Sequence, residues 1–211
     1  MYFCGQTLVY LSMIIVESKR KKPATILKKY PGAMLIDVTS KAADEWVKLS
    51  PFYPHGGIPV PFSDGLTASC VEAIWQGLKV FDHCDVDTTL FYNTTMQGLK
   101  RTVRRFGKPR GHRKGVKGTE LLGYIDARLQ IYLPSYKWVL ENKVPDLIEK
   151  LRIMSQSKTI ALLDFNTNSD VYDSSKPLSH ASLIKAYIDG VYGEKPRKPK
   201  EAKQLSLFDN D

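Results

Sequence analysis

The sequence predicts a helix-dominated α+β single domain with a few short strands, and three observations carry that prediction. Short apolar, β-rich runs occur at Met13–Glu17, Ala33–Val38 and Thr159–Phe165. Stretches with the i, i+3, i+4 spacing of amphipathic helices outnumber them. No repeat and no regular alternation of strand and helix links the two kinds of segment. With 211 residues, 43% of them hydrophobic, the chain can bury a sizeable core. Fourteen Gly and twelve Pro are close to average usage, which excludes a collagen-like or wholly disordered protein.

In order along the chain, Pro23 heads a helix, Ala24–Lys29, that Tyr30, Pro31 and Gly32 stop. After the strand Ala33–Val38, Ser40 is expected to cap a helix from Lys41 to Leu49, with Ala42, Ala43, Trp46 and Val47 on a shared face. Ser50–Thr67 is too rich in Pro and Gly for regular helix and reads either as a pocket-lining loop or as a surface crossover. Ser69–Phe81 carries the clearest helical stripe, Val71, Ile74, Trp75, Leu78 and Phe81, and beside it Glu72, Gln76 and Lys79 follow one ridge. An acidic turn (Asp82, Asp85, Asp87) precedes a segment expected to be helical to Phe106, and then a loop, Gly107–Gly118. Glu120–Leu133 reads as a helix ended by Pro134, Ser135–Glu141 as a further segment, Asp146–Met154 as a short helix and His180–Tyr192 as the closing helix.

The globular domain therefore spans 13–192. Because Met13 opens a good strand, residues 1–12 read as an extension upstream of the natural start. From Gly193 to Asp211 the chain reads as a flexible basic tail, since Glu194–Lys203 is charged, contains Pro and has almost nothing apolar to bury.

The formal charge is +9, and Gly98–Lys117 alone contains nine basic residues and no acid. That concentration suits a polyanion, and Arg110, Arg113 and Lys114 in its loop are the nucleic-acid-binding candidates. The second basic cluster, Lys19–Lys22 with Lys28 and Lys29, reads as a solvated face. Cys4, Cys70 and Cys84 are odd in number and widely spaced, which points to a reducing cytoplasm. The four histidines form no pair at metal-ligand spacing, so neither a metal nor a cofactor is expected. The apolar run Leu8–Val16 is far short of the roughly 20 residues that span a bilayer, and no membrane partner is expected.

Leu49–Pro54 followed by Ser69–Phe81 resembles the signature of the NADAR family of YbiA-like N-glycosidases, an L-S-N-F-Y-P-like loop and then S-x-E-H-x-x-Q-A-x-K-F on a helix. Later segments agree in their order: Arg104–Gly107 resembles the family's A-x-R-x-G turn, and Asn168–Tyr172 its acidic N-D-x-x-W stretch. The likeness spans roughly Leu49 to Tyr192. Ala73, Pro51 and Asp173 depart from it, standing where the family has His, Asn and Trp. The resemblance implies a NADAR-like fold, an ADP-ribose-related N-glycosidase activity and Glu72 at the position of the catalytic carboxylate. The chemistry asks for such groups independently. Breaking an N-glycosidic bond builds positive charge on the ribose, which a fixed carboxylate stabilises while it, or a neighbour, activates water. Glu72 is the catalytic candidate, with Asp170 as a second acid to orient ribose hydroxyls. Gln76 shares the ridge of Glu72. Lys79, Arg101 and Arg105 are the candidate phosphate ligands, and Phe52 and Tyr53 the candidates to stack on the base.

Gln204–Phe208, the pentapeptide QLSLF, resembles the Q-L-x-L-F peptide by which bacterial polymerases and repair proteins bind the DNA sliding clamp. Gln204, Leu205, Leu207 and Phe208 are its contact candidates. Two functions are consistent with these features. One is an N-glycosidase acting on an ADP-ribosyl or related riboside, free or guanine-linked on DNA, and delivered by the clamp. The other is a non-catalytic clamp- or DNA-binding protein of phage or mobile-element type on the same scaffold.

Overall fold

The apolar runs at the two ends of the domain pair across most of the chain length. In a computed structural model that describes residues 13–194, β1 (Ile14–Ser18) and β2 (Met34–Asp37) both lie parallel to β8 (Ile160–Asp164), in the order β1-β8-β2. Buried on both sides, the central strand is apolar from Ile160 to Leu162. The register sets Ser18 beside Asp164 and Asp37 beside Leu163, so all three carboxyl ends finish along one edge. That edge of a parallel sheet is where open α/β sheets bind ligands.

Helix α1 (Pro23–Lys29) follows β1, and the basic cluster before and within it is partly neutralised: Lys21 and Lys29 pair with the buried Glu17, and Lys19 with Asp37. The expected helix Lys41–Leu49 is a 3-10 turn, Glu45–Leu49, capped by Asp44 rather than Ser40, because the Asp44 carboxylate accepts from Trp46 N at 3.2 Å. The Pro-rich stretch then forms a minimal hairpin of β3 (Ile58–Pro59) and β4 (Thr67–Ala68).

Helix α2 runs only from Val71 to Gly77, shorter than the helix to Phe81 that the stripe predicts. The carbonyls at and just beyond its end are taken by other partners: the Arg101 guanidinium donates to the carbonyls of Gln76 (3.2 Å) and Lys79 (2.6 Å), and Arg113 N to that of Leu78 (2.8 Å). A Cβ on Gly77 would stand 2.4 Å from the Phe91 ring, so only glycine lets the 3-10 turn Thr88–Tyr92 pack against this helix. The chain continues as β5 (Lys79–Phe81), and Lys79 leaves the helical ridge. Short helix α3 (Val103–Phe106) precedes β6 (Pro109–Arg113), which pairs antiparallel with β5 and with β7 (Leu121–Leu122). The expected loop Gly107–Gly118 therefore contains a strand, Pro109–Arg113: its hydrogen bonds come from β5 and β7, and its own apolar pattern is too weak to announce it.

Pro134 does not end a helix. One helical path runs from α4 (Tyr124–Ala127) through a π-helical turn, Arg128–Tyr132, into α5 (Leu133–Asn142). The widened turn falls where the ring of Pro134 crowds the preceding backbone and its missing N–H has no carbonyl to serve. Helix α6 (Pro145–Ser157) leads to β8, and α7 (His180–Ile188) closes the fold. The α+β expectation therefore holds. No helix of the described residues is long and apolar enough to cross a membrane.

Candidate active site

At the carboxyl ends of β1, β2 and β8 the structure encloses a cavity of about 480 Å³. Arg20 comes from beyond β1, Thr39 and Ser40 from beyond β2, and Asp164–Asn166 from β8; α2 supplies Glu72, Trp75 and Gln76 opposite them. The Pro-rich segment contributes Ser50, Pro51 and Phe52. It is fixed to α2 by Glu72 N, which donates to the Pro51 carbonyl at 2.9 Å.

Glu72 is only 7% exposed. Its Oε1 accepts from Gln76 Nε2 at 2.9 Å, the i, i+4 pairing that the helix dictates, and Gln76 Oε1 in turn accepts from Arg101 N at 3.1 Å. No other side-chain hydrogen bond holds the Glu72 carboxyl among the described residues. Burial pushes its pKa up, opposed by the Gln76 hydrogen bond and by the charges of Lys100 and Lys79.

On the sheet wall, Asp164 is also buried but fully partnered. Oδ2 faces His180 Nδ1 at 3.0 Å and accepts from Ser179 Oγ at 2.8 Å, while Oδ1 accepts from Phe165 N at 2.7 Å. His180 Nε2 lies 2.8 Å from the Val38 carbonyl. With an acceptor at each ring nitrogen, the imidazolium is the form that satisfies both. Burial alone would lower the His180 pKa, but the Asp164 charge and hydrogen bond and the Val38 carbonyl outweigh it and raise it. Burial alone would raise that of Asp164, and His180 and Ser179 outweigh it in turn and hold the carboxyl below its ordinary value.

The third wall is aromatic and rests on Arg128, 2% exposed in the π-helical turn. Its guanidinium donates to the carbonyls of Val171 (2.9 Å), Asp173 (2.7 Å) and Lys176 (2.6 Å) and lies 4.5 Å from the Tyr124 ring centroid. It thereby fixes the loop that brings Pro177 and Leu178 to the cavity beside Tyr124 and Tyr132.

A family model described as a family of unknown function (DUF6939) matches residues 18–184, most of the chain. The chain belongs to DUF6939. The matched DUF6939 region contains Glu72, Asp164 and His180 and excludes the QLSLF peptide. No curated protein and no solved structure matches the chain.

Of the predicted site residues, the DUF6939 domain brings Glu72, Gln76 and Phe52 to the cavity and parts the others from it. Asp170 lines a separate depression with Ser18, Phe165 and Lys176, and its carboxylate accepts from Tyr172 N at 2.8 Å, closing the turn of its own loop. It is corrected to a loop-forming residue, and Asp164 is the second acid of the cavity. Arg101 is buried and committed to backbone carbonyls, including that of Asp85 at 2.8 Å, so it shapes the end of α2 and does not line the cavity. Arg105 is exposed outside the cavity, its guanidinium 5.1 Å from the Phe106 ring centroid. Tyr53 packs on His55, at 4.8 Å between centroids. Lys79 is half-buried on β5 and acts on Glu72 through its charge, not from the cavity lining. Besides Arg128, which is committed to backbone carbonyls, the cations that line the cavity without an ion pair among the described residues are Arg20 and Lys100.

The nucleic-acid candidates are less free than a window without acids implies. Arg110 pairs with Asp82 (3.4 Å), Arg113 with Asp85 (2.6 Å) and Lys114 with Glu120 (2.8 Å), because the antiparallel sheet folds the acidic turn and Glu120 onto them. Arg104, Lys108 and Lys117 remain exposed and make no ion pair among the described residues. Gln204, Leu205, Leu207 and Phe208 lie outside the described residues. Sequence reasoning missed Asp164, His180 and Arg128. An acid ending a buried apolar strand, Ile160–Asp164, is the signal that could have found the first.

Proposed function

We propose that this DUF6939 protein is an N-glycosidase of NADAR-like fold that hydrolyses the bond between ribose and base in an ADP-ribosyl or related riboside, free or guanine-linked on DNA. The observation that carries this reading is the Glu72 carboxyl. It is buried against the cavity, held at one oxygen by Gln76, and without an ion-pair partner within 4 Å among the described residues. A carboxyl desolvated in this way costs stability, and a purely structural scaffold has no need of it. As the ribose–base bond breaks, ionised Glu72 stabilises the oxocarbenium-like charge or takes the proton of the attacking water, and its raised pKa suits a base. Asp164, kept ionised by His180, faces the ribose hydroxyls, and Arg20 and Lys100 take the phosphates.

The test is incubation of the full chain with guanine-ADP-ribosylated DNA and with free ADP-ribose, beside Glu72→Gln. Release of ADP-ribose from the modified DNA, or of adenine from free ADP-ribose, by the wild type and none by the folded variant supports the reading. Equal activity in both, or none in either, ends it. DNA and the sliding clamp are proposed partners through the exposed cations and the QLSLF peptide. Gln204→Ala with Leu207→Ala and Phe208→Ala should abolish clamp binding and leave turnover of free substrate intact. Clamp binding without any turnover would establish the alternative, a non-catalytic clamp- or DNA-binding protein.

A further inference from the structure

Two features of the cavity's helix wall are not used by the chemistry of Glu72. The first is Trp75, three residues on from Glu72 and so its neighbour on the same side of α2. It lines the cavity while only 8% exposed. Its indole Nε1–H makes no hydrogen bond among the described residues, yet it is not one of the buried polar atoms sealed without a partner. A donor that is reachable and unused, on a residue whose exposed part borders the cavity, is available to a ligand. The indole is also held on several sides. Tyr124 and Tyr132 meet it edge-on at centroid distances of 5.7 and 5.6 Å, and the His112 ring packs on it at 3.8 Å with 33° between planes.

His112 is the second feature. It is 1% exposed on β6, and neither ring nitrogen has a hydrogen-bond partner among the described residues. Leaving such a group unsatisfied is destabilising, and an apolar ring of similar size would pack there without that cost. Burial, reinforced by the Lys79 charge, pushes its pKa down to about 3, so the ring against the indole stays neutral at working pH. What His112 contacts is the indole.

We infer that Trp75 is the contact surface for a flat heteroaromatic ring of the ligand, a nucleobase, with its Nε1–H offered to an acceptor on that ring, and that His112 is a positioning residue that holds the indole from behind. This deepens the glycosidase reading and rests on it only for the position of Glu72 beside the glycosidic bond. The base is then recognised from α2, not by Phe52 and Tyr53 of the Pro-rich loop.

The test uses the full chain with guanosine and ribose 5-phosphate as probes, read by saturation-transfer NMR and calorimetry. Guanosine should receive saturation most strongly at its base proton, and Trp75→Leu should weaken its binding about ten- to a hundredfold, the range of base–aromatic stacking. Trp75→Phe should recover part of the loss, and ribose 5-phosphate should bind all three alike. If Trp75→Leu does not fold, His112→Ala should weaken guanosine several-fold while His112→Phe retains wild-type affinity. Undiminished guanosine binding by folded Trp75→Leu or by His112→Ala, or saturation concentrated on the ribose, overturns the inference. A wild type that binds guanosine through Trp75 but turns over no riboside leaves it standing and removes the glycosidase reading instead.

Discussion

The helix wall and the sheet wall of the cavity each hold a buried carboxyl, and the two are treated in opposite ways. Asp164 on β8 is given a cation, a hydroxyl and a backbone N–H, and its pKa falls. Glu72 on α2 is given one amide, and its pKa rises. Burial is common to both, so it cannot account for the difference; the partners do. On the proposed reading, these two carboxyls, whose environments drive their pKa values apart, divide the work between a fixed negative charge and a group that takes up a proton.

The largest effect expected from disturbing this division is on stability at the sheet wall. Asp164→Ala leaves His180 as an uncompensated buried cation or forces it neutral with a lost contact, and should cost about 3–5 kcal/mol in chemical unfolding. The pair also sets a pH window. Asp164, with its lowered folded pKa, contributes stability that is present above its ordinary value of 3.8 and is lost as pH falls through the folded value. His180, with its raised folded pKa, contributes stability that is fully present below 6.5 and is lost as pH rises through the folded value. The wild-type contribution is therefore greatest between those limits, and Asp164→Ala should flatten that profile.

Glu72→Gln should act in the other direction on folding. A carboxyl with a raised folded pKa destabilises the fold once pH exceeds its ordinary value, so the neutral amide should raise Tm near pH 7 by a few degrees, about 1 kcal/mol in a chain of this length. On riboside turnover the same substitution should cost about 10²- to 10⁴-fold or more. Gain of stability with loss of turnover is the signature of a functional carboxyl; loss of both would place Glu72 with Asp164 as a structural group.

The smallest effect belongs to the antiparallel sheet. Gln at Arg110, Arg113 and Lys114 together should change stability by no more than about 1 kcal/mol, since exposed ion pairs contribute little. DNA affinity, measured against salt, should fall with a shallower slope than in wild type. Because each of these cations already has an acid beside it, the same change at Arg104, Lys108 and Lys117 should reduce the slope more.

These regions also differ in how far they could be read from the sequence. Local periodicity was enough to place Glu72 and Gln76 on one helix face, and the apolar runs at Met13, Ala33 and Thr159 were enough to place three strands, though not to show that they pair in parallel. The end of α2 was not legible, because it is set by Arg101 and Arg113, which reach it from far along the chain. Strand β6 is basic, with Gly111 at its centre, and becomes a strand only through its neighbours. Pro134 reads locally as a breaker, and the π-helical turn that accommodates it has no local signature. Asp170 and Asp164 are both acids near the end of the last strand. Choosing between them requires knowing that β8 is central and that its carboxyl end meets α2.

The most direct test of this division is a site-resolved ¹³C NMR titration of the two side-chain carboxyls in the wild-type chain, assigned with Glu72→Gln and Asp164→Asn. Glu72 should titrate above its ordinary value of 4.5, and Asp164 below 3.8, in the same sample. A Glu72 midpoint at or below 4.5 would mean that the carboxyl is already paired or solvated, and would contradict its assignment as the proton-accepting group of the cavity.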